Sequence, residues 1–405
     1  MEFPLRLSDL SSPQFYSNPY SFYETLRQKN ALIWLDNNIV LAGRYSIVSR
    51  LLHDCRAGRD YLGGIARRYN NCAVQEPSFQ ALSRMFMETN PPEHTRARQL
   101  LAKAFDARRV AALRQVVQET ASRLVDAFPS DEPIDLVTAY ASPLPVEVIC
   151  SLLNIPISDG YSLATATNRL VEILNAGPVD SIILAKANEA THVLESYFGT
   201  LVRERRVNPG EDLISALLAV EENGEILQEA EITSNAILLF LGGHETTTNM
   251  IGNALITLFQ HPEQLMRLRQ RPNLISKALV ECMRYDPSVQ LVVRTALEDI
   301  EIDGIAFPRG TLIFLSLASA NRDPARFATP DQFNIERPDA DNRMLGFGAG
   351  IHHCLGARLG VLEGEIAIAT LLSRFPNLRI NNLDSLRRHP RSTLRGVESL
   401  LATIT

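Results

Sequence analysis

The stretch EITSNAILLFLGGHETTTNMIGNALITLFQ, ending at Gln260, constrains this chain more than any other feature. It reads as one long helix over 229–260 that is apolar on nearly every side, interrupted by a polar island from Gly242 to Asn249. A helix hydrophobic all round has no solvent face, so it must be wrapped by other elements. Gly242 and Gly243 in mid-helix each cost about 1 kcal/mol relative to alanine, which calls for a packing or functional reason. A threonine hydroxyl such as that of Thr246 can bond back to the carbonyl four residues earlier. Taken alone, the island also fits a polar patch satisfied internally.

The rest of the chain has the means to bury such a helix. Its 405 residues are 45% hydrophobic and 21% charged, enough for a large core. Helical periodicity runs over about 96–127, 182–206, 274–285 and 356–374. Strand-like runs are fewer: Ile33 to Leu41, then a meander from Leu291 to Leu317 with turns at Asp303-Gly304 and Pro308-Arg309-Gly310. The expected fold class is therefore mainly α with a small β region. No Pro/Gly/Ser-rich linker divides it, so residues 1–405 are expected to form a single domain. The net charge of -6 argues against nucleic acid as a partner. No run approaches 18 uninterrupted apolar residues, which gives the expectation of a cytoplasmic protein with no membrane partner.

Five cysteines (Cys55, Cys72, Cys150, Cys282 and Cys354) include no CxxC pair and fit a reducing compartment. Around Cys354 the sequence LGFGAGIHHCLGA gathers Gly346, Gly348, Gly350 and Gly356 just before a helical stretch. Such glycines let backbone approach a flat ligand closely. A helix N-terminus at the sulfur favours its thiolate, which is what an anionic axial ligand to haem iron requires. A buried core cysteine, a zinc site with His352 and His353, and a dinucleotide loop also compete for these residues. The zinc reading lacks a second ligand pair, and the glycines follow the polar run RPDADNRM rather than a strand.

Phe347, Gly348, Gly350, His352, Cys354 and Gly356 together resemble the F-G-x-G-x-H-x-C-x-G haem-binding loop of the cytochrome P-450 superfamily. The resemblance implies that fold, with haem b between the central helix and the helix after Cys354, and Cys354 as the iron ligand. It implies that His352, His94 and Arg98 in NPPEHTRAR, and Arg294 meet the haem propionates. Glu281 and Arg284, otherwise readable as an ordinary surface pair at i and i+3, become with Arg337 the family's structural Glu-Arg-Arg triad. The central island matches [AG]-G-x-[DE]-T through Gly242, Gly243, His244, Glu245 and Thr246. Glu245 and Thr246 would be the catalytic pair, an acid and an alcohol that relay protons to dioxygen as it is split.

By the same resemblance, an apolar small organic substrate should touch the loop around 58–90, the region 165–185, and Leu238, Leu241, Gly242, Val289, Val292 and Leu394. Plain core packing is an equal reading of each. The implied reaction is monooxygenation in secondary metabolism, with O2, a ferredoxin and a ferredoxin reductase as partners; peroxide-dependent or coupling and rearrangement chemistry on the same fold, or a non-catalytic haem sensor, are the alternative readings. Arg108, Arg109 and Arg358 would form the basic docking patch. The family's L-A-R-x-E after the cysteine is replaced here by Leu359, Gly360, Val361 and Glu363, so Val361 lacks the expected charge.

Overall fold

In a computed structural model, residues 5–29, 32–36, 38–105, 107–129, 132–177, 179–220, 224, 226–338 and 343–404 are described. Part of the run RPDADNRM, at 339–342, lies outside them. The helices run in chain order as α1 (Pro13–Ser17), α2 (Tyr20–Lys29), α3 (Tyr45–His53), α4 (Tyr61–Arg68), α5 (Pro77–Ser83), α6 (Glu93–Ala104), α7 (Ala107–Asp126) and α8 (Pro143–Leu153). They continue as α9 (Ile157–Val171), α10 (Ser181–Val207), α11 (Leu213–Ala219), α12 (Glu229–Gln260), α13 (Pro262–Gln270), α14 (Ile275–Tyr285), α15 (Leu317–Ala320) and α16 (Ala357–Arg374).

The long apolar segment forms the central helix α12 with the limits its sequence predicts. α8, α9, α10, α14 and α16 all pack against it. Its buried side chains continue around the helix from Ile232 to Leu258, the burial that an all-round apolar surface demands. No single helix among the described residues is long and apolar enough to cross a membrane.

Three expectations are corrected. The run at 96–127 is two helices, because Phe105 leaves the helical region at φ -98°, ψ 54°. α6 then packs against α11, and α7 against α8 and α16, directions that one straight helix could not serve. The strand expected at Ile33 to Leu41 is a hairpin of β1 (Leu32–Asp36) and β2 (Ile39–Ala42). Finally, residues 58–90 are largely helical, carrying α4 and α5.

The meander also differs from its expectation. β3 is Ala57–Gly58 and β4 is Ile134–Asp135; then come β5 (Leu291–Ala296), β6 (Ile300–Ile302), β7 (Ile305–Phe307) and β8 (Leu312–Ser316). β6 and β7 pair only with each other, around the Asp303-Gly304 turn, where both residues have positive φ. β5 pairs antiparallel with β8 across that hairpin, and β8 pairs parallel with β2. The order β1-β2-β8-β5-β3 buries all five residues of β8. A central strand covered on both faces has no reason to alternate in polarity, which is why the sequence reads as continuous apolar runs.

Candidate haem site

α14 carries Glu281 and Arg284 on one face, and both are completely buried. Arg284 clasps Glu281 with two bonds, Nε to Oε2 at 2.7 Å and Nη2 to Oε1 at 2.9 Å. Arg337 adds its Nε at 3.2 and 3.1 Å from the two carboxylate oxygens. The remaining guanidinium donors meet the carbonyls of Asn321, Pro330, Gln332, Ala328 and Thr329. A buried ion pair is tolerable when its leftover protons find acceptors, and here they do. The Asn321 side chain accepts from Leu345 N–H at 2.7 Å, so the network reaches the first residue of the cysteine loop.

The loop is closed by backbone bonds from Gly348 N–H to Leu345, from His353 N–H to Gly350, and from Cys354 N–H to the Phe347 carbonyl at 3.0 Å. Gly348 and Gly350 both have φ of +68°. A β-carbon on Gly350 would also strike the Leu52 carbonyl, so this position is closed to other residues by conformation and by space. Cys354 is exposed, three residues ahead of α16. Surrounding protein nevertheless pushes its thiol up, against a Gly356 N–H bond and Arg98, which both lower it. Desolvation thus outweighs the helix N-terminus expected to favour the thiolate. Contact with a metal cation reverses that balance.

Beyond the loop lies a group of cations with few acceptors. His94 and His352 stand with ring centroids 4.2 Å apart, and none of their four ring nitrogens has a hydrogen-bond partner. Burial, then neighbouring arginines, lowers His94 to about 4 and His352 to about 2. Arg294, 3% exposed on β5, and Arg59 are among those arginines. Arg59 Nε is likewise buried and unpartnered. The nearest acid, Glu88, lies 3.5 Å from Arg59 and is itself pushed up by burial. Arg98 bonds the His353 carbonyl at 2.6 Å, tying α6 to the cysteine loop. Arg59 had no signal in the sequence, since its partners lie far along the chain.

On α12, Thr246 Oγ1 donates to the Gly242 carbonyl at 2.7 Å, the i-4 bond anticipated from sequence. Gly242 is exposed in the middle of an otherwise buried helix, and a β-carbon there would meet nothing within 4 Å. Glu245 accepts at Oε1 from Arg391 at 2.7 Å and from Asn249 at 3.2 Å. Leu238 is half-buried and Leu241 buried on the same helix, while Val289 and Leu394 are joined by an isolated β-bridge. Val292, half-buried on β5, packs against the sheet-side core.

A cysteine in a glycine-built loop, a basic cluster whose imidazole nitrogens lack partners and an open glycine face on the buried helix fit one ligand. That ligand is flat, carries carboxylates and bears a metal. The cytochrome P450 family profile matches residues 60–273 and 266–391. The chain belongs to the cytochrome P450 family. It is a P450 monooxygenase and binds haem b.

This P450 is 46% identical over 400 residues to the putative cytochrome P450 133B2 of Xylella fastidiosa, covering 99% of this chain and 100% of that one. It is 35% identical to the vitamin D(3) 25-hydroxylase of Pseudonocardia autotrophica, over 98% of this chain and 96% of the relative. Among solved structures, P450BioI in complex with an acyl carrier protein ligated to hexadec-9Z-enoic acid superposes with a TM-score of 0.90. That match has 34% identity and covers 98% of this chain and 100% of the other.

The three arginines expected to form a basic patch have different surroundings. Arg358 lines a shallow groove with Arg114, Phe347 and Val361. Arg109 instead bonds the Glu211 carbonyl at 2.6 Å, and Arg108 is exposed on α7. Arg114, one helical turn on from Val110, and the acid Glu365 line the same groove.

Proposed function

We propose that this P450 inserts one oxygen atom from O2 into a C–H or C=C bond of an apolar small organic substrate. The setting is bacterial biosynthesis of a polyketide, terpene or fatty-acyl product, in the cytoplasm, with electrons from a ferredoxin and its reductase. When bound, the haem supplies dioxygen activation at a thiolate-ligated iron. Cys354 is the iron ligand. His94, His352, Arg98, Arg294 and Arg59 hold the propionates through charge-assisted bonds. Glu281, Arg284 and Arg337 fix the cysteine loop through Asn321. Thr246 presents a hydroxyl beside the open Gly242 face, and Glu245 stands next to it as the carboxyl that hands protons inward.

The observation that carries this reading is the acid-alcohol pair Glu245-Thr246 beside Gly242, an exposed glycine in the middle of a buried helix. Peroxide-driven chemistry needs no such proton relay. Leu238, Leu241, Val289, Val292 and Leu394 give the pocket its apolar character. A carrier-bound substrate is a second reading, favoured by the likeness to P450BioI bound to an acylated carrier protein.

Two measurements test the proposal. Cys354→His should abolish the strongly red-shifted Soret band of the reduced carbon-monoxide complex. Turnover should require O2 with ferredoxin and reductase, using substrates found by a haem spectral-shift screen of fatty acids, polyketides and terpenes. Product formation with peroxide alone at an equal rate would overturn the reductive route. Charge reversal at Arg358 and Arg114 that leaves electron transfer unchanged would overturn the docking patch.

A further inference from the structure

The polar side chains of α12 form a stripe. Glu245, Asn249 and Asn253 follow at i, i+4 and i+8, one face of the helix. All three meet the C-terminal segment between Arg388 and Val397 rather than another helix. Arg391 bonds Glu245, and a β-carbon on Gly396 would collide with the Asn249 amide. Asn253 donates to the Arg395 carbonyl at 2.9 Å and accepts from Arg388 at 2.6 Å. Arg388 and Arg395 are in turn fixed on Asp286, at 3.4 and 2.8 Å.

The turn between these anchors has a second attachment. Ser392 N–H bonds Asn175 Oδ1, and Ser392 Oγ accepts from Ala176 N–H, each at 3.1 Å. Arg68 of α4 also reaches the Asn175 carbonyl, at 3.3 Å. Three segments expected to line the pocket, 58–90, 165–185 and the turn near Leu394, therefore meet at Asn175. The residue preceding Ser392 is the one that holds Glu245. Side-chain exposures of 12% for Arg391 and 9% for Glu245 remove this ion pair from most solvent screening, so its geometry is set by the protein.

We propose that Arg391 is the positioning residue of the Glu245 carboxylate, and that the turn carrying it ties that carboxylate to the chain at Asn175 and Ala176. The inference rests on the reading of Glu245 as proton donor. Both of its contacts fall on Oε1, which fixes the rotation of the carboxyl group.

The test uses the substrate-free holoenzyme with a surrogate ferredoxin and reductase. Arg391→Ala should slow NADPH-driven O2 consumption about fivefold, the factor that ~1 kcal/mol on a barrier gives, and raise its solvent deuterium isotope effect. Arg391→Lys should restore most of the rate. In a Glu245→Gln background, Arg391→Ala should change nothing further. In the infrared, the carboxylate band identified by the E245Q difference spectrum should shift in R391A and return in R391K. An unmoved band, or a rate loss that persists in the Glu245→Gln background, overturns the positioning role. A Glu245→Gln variant as fast as wild type overturns the proton-donor reading instead, and the infrared band still decides the role of Arg391.

Discussion

Two clusters of basic side chains adjoin the cysteine loop, one through Asn321 and one through Arg98, and they are opposite in design. Glu281, Arg284 and Arg337 are at most 4% exposed, and His94 and Arg294 in the second cluster are as deeply buried at 1% and 3%, although Arg59, Arg98 and His352 are half-buried. Acceptors separate the two. In the first cluster every guanidinium meets a carboxylate or carbonyl. In the second, Arg59, Arg98 and Arg294 each reach a backbone carbonyl, but four imidazole nitrogens and Arg59 Nε meet no partner. Buried polar groups are almost always paired, so the five nitrogens left unpaired in the second cluster suit an anion from outside the chain. On the proposed reading the first cluster is architecture and the second is the propionate site.

That contrast can be broken by mutation. Glu281→Gln preserves shape but strands two buried guanidiniums, and should destabilise the fold by roughly 3–5 kcal/mol, read from denaturant midpoints. Haem should be lost from this variant only as a consequence of unfolding. Arg294→Gln should do the reverse. Loss of one charged hydrogen bond to a propionate should speed haem transfer to an acceptor protein about tenfold or more, while the haem-free protein melts no lower than wild type. Equal loss of haem-free stability in both variants would erase the distinction between the clusters.

The smallest effect sharpens the same contrast through pH. Burial, followed by the charges of Arg98, Arg59 and Arg294, lowers His94 to about 4, from an ordinary 6.5. As pH falls from 6.5 toward 4 the unfolded chain takes up this proton before the folded one, so the haem-free protein should lose stability across that window. Propionates beside His94 favour its charged form, so the haem-loaded protein should show a weaker slope. Melting temperatures of both forms at pH 7, 6 and 5 check this, and parallel slopes would count against His94 as a propionate ligand.

Legibility in the sequence followed the range of the interactions. α12 was read to its limits because an all-round apolar helix with a polar island is a local pattern. The Glu281-Arg284 pair was visible at i and i+3, and the cysteine loop by its glycines. The split at Phe105 was not visible, because it answers to which neighbours α6 and α7 must pack against. Nor was the pairing of β5 with β8 across the β6-β7 hairpin, since continuous apolar runs carry no register.

The family resemblance supplied the residues proposed to serve haem; the sequence by itself determined the buried central helix and the glycine-rich loop around Cys354. These depend on periodicity, backbone freedom and spacing within a few residues. Only the tertiary structure decided that Arg59 joins His94 and His352, that Asn321 links the triad to the loop, and that Arg391 holds Glu245. Each of these partners lies tens to more than a hundred residues away, where spacing carries no information and only folding brings charge to charge.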